Sequence, residues 1–148
     1  VENMKIAIGS YHCGIHLKNY LKEYLQGKGW EVLDCGTYTE ESCDYPDIAA
    51  KLCGEIAQGT VTQGILVCGT GLGMSIAANK CAGIRAAVVT DEYSAVKSKE
   101  HNNANVLCLG ERVLGTGLAE SLVDAWLKTE FAGGRHARRV GKIMDLGK

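Results

Sequence analysis

Short apolar runs alternate with longer amphipathic stretches along this 148-residue chain, and that alternation leaves few folds open. Residues 4–9, MKIAIG, read as a first strand. Leu17, Tyr20, Leu21, Tyr24 and Leu25 then recur at helical spacing over residues 15–26, until Gly27 and Gly29 stop the helix. Residues 30–34 read as a second strand. A loop follows from Gly36 to the chain's one proline, Pro46. Ala49, Leu52, Cys53 and Ile56 share a face of a helix over residues 47–58. Further strands are expected at 64–68, 84–89 and 105–109, with helices at 72–80, 92–99 and 116–131. Beyond Gly133-Gly134 a basic tail, residues 135–148, is expected to be helical again.

Five such β/α units predict one domain over residues 1–148, a Rossmann-like three-layer α/β sandwich around a five-stranded parallel sheet. The expected strand order is 2-1-3-4-5. Ligands of such sheets bind outside the carboxyl ends of the strands, near the point where the winding direction reverses.

Composition narrows the partners. A 46% hydrophobic content supplies a core, and a net charge of −1 gives no global attraction to nucleic acid or an anionic membrane. No apolar run approaches a membrane span. No secretory leader is expected, and Val1-Glu2-Asn3 stand ahead of the first Met4. The seven cysteines form no C-x-x-C pair and no Cys/His ligand spacing. They read as reduced thiols of a cytoplasmic protein, most of them core fillers.

The most informative stretch is residues 64–80, GILVCGTGLGMSIAANK. Its Gly69, Gly71 and Gly73 spell G-x-G-x-G, without the spacing of the dinucleotide fingerprint and after the third strand instead of the first. A phosphate loop of the G-x-x-x-x-G-K-[ST] kind fails too, because Ile15-His16 follow Gly9 to Gly14. Glycines still let backbone approach a ligand, and a helix start presents N–H donors to an oxyanion. A thiol beside such a helix start, as Cys68 is, suits nucleophilic catalysis or proton abstraction next to a carbonyl. The bland readings are a tight turn and a core cysteine.

Two more threads join it, the first of them opening into the same crevice if the first and third strands are neighbours. The first strand delivers Ser10-Tyr11-His12 at its carboxyl end, where His12 can bind a phosphate or move a proton, or simply face solvent. In GGRHARR, Arg135 and Arg139 lie four apart on one helix face, as a phosphate clamp requires. Three Arg and two Lys against one Asp from residue 135 onward also fit an ordinary solvated basic face.

Together CGTGLGMSIAANK, GIRAAV, SKEHNNANVLCLGERV, DYPD and EFAGGRHARRVGKI resemble the ribose-5-phosphate isomerase B family, in order and from Met4 onward. Galactose-6-phosphate isomerase subunits belong to the same wider family. The resemblance implies interconversion of ribose 5-phosphate and ribulose 5-phosphate through an enediolate, with no metal or cofactor. It implies Cys68 as the base, with Thr70 and the backbone of Gly69 to Ser75, Gly71 and Gly73 included, around the oxyanion. It implies His101 as the group that opens the furanose ring, assisted by Asn102. His12, Arg135 and Arg139 would hold the phosphate, Arg112 would contact its end of the substrate, and Tyr45 would line the sugar pocket. A homodimer or dimer of dimers is also implied.

One residue departs. Ser10-Tyr11-His12 stands where the family usually has SDH or CDH, and the missing aspartate normally faces the sugar hydroxyls. Tyr11 is larger and a weaker acceptor. It leaves a related hexose phosphate, or a weakly active or noncatalytic sugar-phosphate-binding homologue, as the alternatives. A thiol redox protein is disfavoured, since no resolving cysteine stands at C-x-x-C spacing from Cys68. Finally, His101 follows the fourth helix and precedes the fifth strand, which places it at the amino edge of the sheet. Cys68 and His12 belong to the carboxyl edge, so one active site is expected to draw on two subunits.

Overall fold

The computed structural model describes residues 4–147; Val1-Glu2-Asn3 and Lys148 lie outside the described residues. The chain runs β1 (Lys5–Ser10), α1 (Ile15–Gly27), β2 (Glu31–Asp34), α2 (Tyr45–Ala57), β3 (Gly64–Cys68) and α3 (Leu72–Ala78). It continues through β4 (Ala86–Val88), α4 (Glu92–Glu100), β5 (Val106–Gly110), α5 (Thr116–Lys128) and α6 (Arg135–Asp145). A 3-10 turn, His12–Gly14, joins β1 to α1.

The five strands pair in parallel in the order β2-β1-β3-β5-β4, which corrects the expected 2-1-3-4-5. Burial explains the exchange. All of β5, VLCLG, is buried, whereas Ala86, Ala87 and Val88 of β4 are half-buried. A strand apolar on both faces belongs inside a parallel sheet, and a short, partly wet one belongs at its edge.

Side chains alternate across the sheet as the pleat demands. Ile6, Ile8, Ile65, Val67, Leu107 and Leu109 face a core built with α1, α4 and α5, centred on buried Trp126. Ala7, Leu66, Cys68, Val106 and Cys108 face α2 and α3. The Cys68 side chain is therefore set toward the α2–α3 layer by its position in the strand. Connections leave β1 toward β2 and β3 toward β4, in opposite directions, so the winding reverses between the neighbours β1 and β3. That is where a crevice opens in folds of this kind.

Two polar anchors hold α1 in place. Glu111, just after β5, accepts the Leu17 N–H at 2.7 Å, where a helix start favours a carboxylate. Lys18, 1% exposed, donates to Asp34 at 2.9 and 3.0 Å and to the Thr37 carbonyl at 2.6 Å. All seven cysteines are unpaired. Among the described residues no helix is long and apolar enough to cross a membrane, and no cluster of His, Cys, Asp and Glu is arranged to hold a metal ion.

Candidate active site

β3 ends on Cys68, and the chain turns through Gly69, Thr70 and Gly71 into α3. Gly71 has φ 86°, and a Cβ there would fall 2.9 Å from Val88 Cγ2 and 3.1 Å from the Leu109 carbonyl carbon. The loop lies this low over β4 and β5 because the position is glycine. The Gly71 N–H donates to Cys68 Sγ at 3.0 Å, and Thr70 Oγ1 accepts the Leu72 N–H at 3.2 Å. At Gly73 a Cβ would fall 2.8 Å from the Tyr45 ring, so the missing side chain lets Tyr45, from the start of α2, lie on the first turn of α3.

β1 supplies the opposite wall. The Tyr11 N–H donates to the Val67 carbonyl at 2.9 Å and carries the β1–β3 pairing one residue past the strand. The Tyr11 ring meets Tyr45 edge-on, centroids 5.5 Å apart. Its phenol lies above its ordinary value, through burial first and then the neighbouring Cys13, Cys43, Asp44 and Tyr45. Arg112 closes the mouth: its N–H donates to the Gly69 carbonyl at 3.0 Å, and its Nη2 lies 3.5 Å from Cys13 Sγ.

These groups enclose a pocket of about 290 Å³ at the point where the winding reverses. Tyr11, Tyr45, Cys68, Gly69, Thr70, Gly73 and Arg112, all singled out in the sequence, line it together with Cys13. Among the described residues no carboxylate lines it, and Arg112 is the one charged residue in its wall. Gly71 holds the sulfur from behind. His12 stands beside the pocket, its ring 3.9 Å from that of Tyr11; its Nδ1 accepts the Cys43 N–H at 3.2 Å, which leaves the proton of a neutral ring on Nε2. Ser75 is not among the lining residues. It lies a turn into α3, 8% exposed, with its hydroxyl donating to the Leu72 carbonyl at 2.8 Å.

The remaining candidates gather elsewhere. His101 caps the end of α4, and the neighbouring Lys99 reaches Gln63, immediately before β3, at 3.0 Å. This end of α4 is thus at the amino edge, roughly 15 Å of strand away from Cys68. Asn103, φ 51°, turns the chain after Asn102, which lines a larger groove of about 970 Å³ between residues 79–87 and the end of α6. Arg135 and Arg139 are exposed on the first turns of α6, on either side of His136, whose ring stacks on that of His101. The site residues expected from the sequence therefore divide into two groups: a thiol pocket at one sheet edge, and a cationic cluster with a histidine at the other.

Sequence reasoning gave no site role to Cys13 or His136. Cys13 follows directly on Ser10-Tyr11-His12, which was the available signal. His136, whose ring lies 4.1 Å from that of His101, sits inside the basic run between the two arginines.

Residues 6–143 match the model of the family described as Ribose/Galactose Isomerase. The chain is 50% identical over 142 residues to ribose-5-phosphate isomerase B of Escherichia coli, covering 96% of this chain and 95% of that protein. It is 48% identical over 141 residues to the D-erythrulose-4-phosphate isomerase of Pectobacterium atrosepticum, covering 95% and 93%. Ribose-5-phosphate isomerase B of Clostridium thermocellum matches in structure with a TM-score of 0.95 at 56% identity, over 96% of each chain. The Thermotoga maritima protein of that name gives 0.94 at 53%, over 96% of this chain and 98% of that one.

Proposed function

The chain belongs to the ribose/galactose isomerase family, and on that premise we propose that it interconverts ribose 5-phosphate and ribulose 5-phosphate. The observation that carries this reading is Cys68, fixed at a strand end by the Gly71 N–H inside a pocket floored by the glycine loop. In the open-chain aldose, the Cys68 thiolate takes the C2 proton. The C2–H electrons form the C1–C2 double bond of an enediolate, and the carbonyl electrons move onto O1. Return of the proton to C1, with transfer of the O2 proton to O1, gives the ketose. Thr70 and loop backbone donors stand where charge on O1 develops.

The second half-site completes the chemistry in a second copy of the chain. An aldose must open its ring before the α-proton becomes acidic, a task for His101 with Asn102 beside it. Arg135 and Arg139 supply the phosphate grip, joined by His12 and Arg112 from the thiol side. Phosphate binding then holds the reacting carbons against Cys68. The separation of the half-sites supports a homodimer or dimer of dimers. So do Leu72 and Ile76, 54% and 67% exposed one turn apart on α3. Seven unpaired thiols suit a reducing, cytoplasmic setting.

Tyr11 favours a second reading. A pocket without a carboxylate grips sugar hydroxyls less firmly, which fits a weakly active or binding homologue, or another sugar phosphate of the class.

The test is conversion of ribose 5-phosphate to ribulose 5-phosphate by the wild-type protein and by Cys68→Ala, with and without chelator. Activity indifferent to chelator and lowered roughly 10²–10⁴-fold in kcat by the substitution is expected. A folded Cys68→Ala protein within tenfold of wild type would remove the thiol from the mechanism.

A further inference from the structure

Two stacked imidazoles join α4 to α6. The rings of His101 and His136 lie 4.1 Å apart with their planes 9° from parallel. Glu100 backs the pair: its Oε1 is 3.3 Å from His101 Nε2 and accepts from Lys97 Nζ at 2.7 Å. The backbone fixes both partners. The Ala132 N–H donates to the Glu100 carbonyl at 2.9 Å, tying the approach to α6 onto α4, and the His136 N–H donates to the Gly133 carbonyl at 3.0 Å. His136 is half-buried among charged neighbours, Arg135 and Arg139 on α6, and Glu100 on α4.

We propose that His136 is a positioning residue for sugar-ring opening, holding the His101 imidazole flat against its own ring and beside Glu100. The inference rests on the isomerase reading above. A histidine at a helix end can turn about two side-chain bonds, and an acid/base group must meet its oxygen within hydrogen-bond reach. A parallel ring on one face removes most of that freedom, because any rotation of His101 loses the stack. The partner also has to stack without adding charge. Burial, then His101, Arg135 and Arg139, hold His136 below the ordinary histidine value, against the opposing effect of Glu100. His136 is accordingly the neutral ring near pH 7, and the Arg135–His136–Arg139 turn places phosphate grip and ring support on one short element.

Ring opening belongs to the ribose 5-phosphate side of the reaction: ribose 5-phosphate is held mainly as a ring, whereas ribulose 5-phosphate, its 5-hydroxyl esterified, is open-chain. The equilibrium constant fixes the ratio of kcat/KM in the two directions, so the step is isolated by comparing isomerisation of ribose 5-phosphate with exchange of a C1 hydrogen of ribulose 5-phosphate for solvent deuterium. That exchange needs proton transfer at Cys68 but no ring opening. Both should be measured for wild type, His101→Ala, His136→Ala and His136→Phe. The expected result for His136→Ala is a loss of about three- to tenfold in kcat/KM from ribose 5-phosphate, with little change in the exchange rate. His136→Phe, which keeps a flat ring, should recover most of the loss, and His101→Ala should show the same split more strongly. Unchanged isomerisation in His136→Ala, an equal loss of isomerisation and exchange, or a Phe variant no better than Ala would overturn the inference while leaving the isomerase reading intact. A wild-type protein inactive on both sugars would overturn both.

Discussion

On the proposed function, Tyr11 is the residue of the pocket wall that bears most on how a sugar is held. Its phenol is neutral at pH 7, since burial and the nearby Cys13, Cys43, Asp44 and Tyr45 push it above the ordinary tyrosine value. Its ring meets Tyr45 edge-on in the pocket wall. An aspartate would accept hydroxyl protons with a full charge, a gain of about 1.4 kcal/mol for one such hydrogen bond. Tyr11→Asp is therefore expected to raise kcat/KM for ribose 5-phosphate about tenfold, read from steady-state kinetics of the folded variant. Unchanged or lower kcat/KM would show that the tyrosine holds the sugar in its own way. At this scale Cys68, Thr70 and Tyr11 were legible because a strand end followed by glycine is a local pattern. Cys13 was not, since its contact with Arg112 spans 99 positions of sequence. Ser75 looked available in the sequence, but one helical turn hides its hydroxyl against the Leu72 carbonyl.

Among the elements, α6 carries the phosphate grip of the proposed function. Replacing Arg135 or Arg139 with Ala should raise KM for ribose 5-phosphate roughly ten- to hundredfold, the loss of one charge-assisted hydrogen bond. Unchanged KM in both variants would reduce the basic run to a solvated face. The α1–β2 contact sets acid stability. Burial alone would raise the Asp34 carboxyl, but the Gly36 N–H together with Lys18 and Lys22 outweighs it and holds the group below the usual carboxylate value. The folded protein then releases this proton at lower pH than the unfolded chain. Asp34 thus stabilises fully above pH ~4, and its contribution drains away as pH falls through the folded value. Asp34→Asn should lose about 3 kcal/mol at pH 7, because Lys18 stays buried without its counter-charge. The gap between the two denaturation curves should close below pH ~4, and a gap constant with pH would contradict this account. Element types were legible from periodicity. The exchange of β4 and β5 was not, since strand order depends on which strand can be wet, and residues 84–89 look as apolar as 105–109 until only Ala86–Val88 pair.

The whole molecule turns on a division that topology imposes. A β/α unit sends each helix back to the amino edge before the next strand, so a residue closing α4 and a residue closing β3 lie at opposite edges. That much was readable from the order of His101 and Cys68 along the chain. The exposed apolar turn of α3, by contrast, followed from packing, because Leu72 and Ile76 look like core residues in sequence. The central claim is that one active site takes Cys68 from one copy and His101 from another. Hybrid assemblies of Cys68→Ala and His101→Ala chains, each inactive alone, test it directly. In a two-fold dimer a hybrid holds one intact and one doubly damaged site, so random exchange should restore about a quarter of wild-type activity. Verified hybrids that stay as inactive as their parents would contradict a shared site.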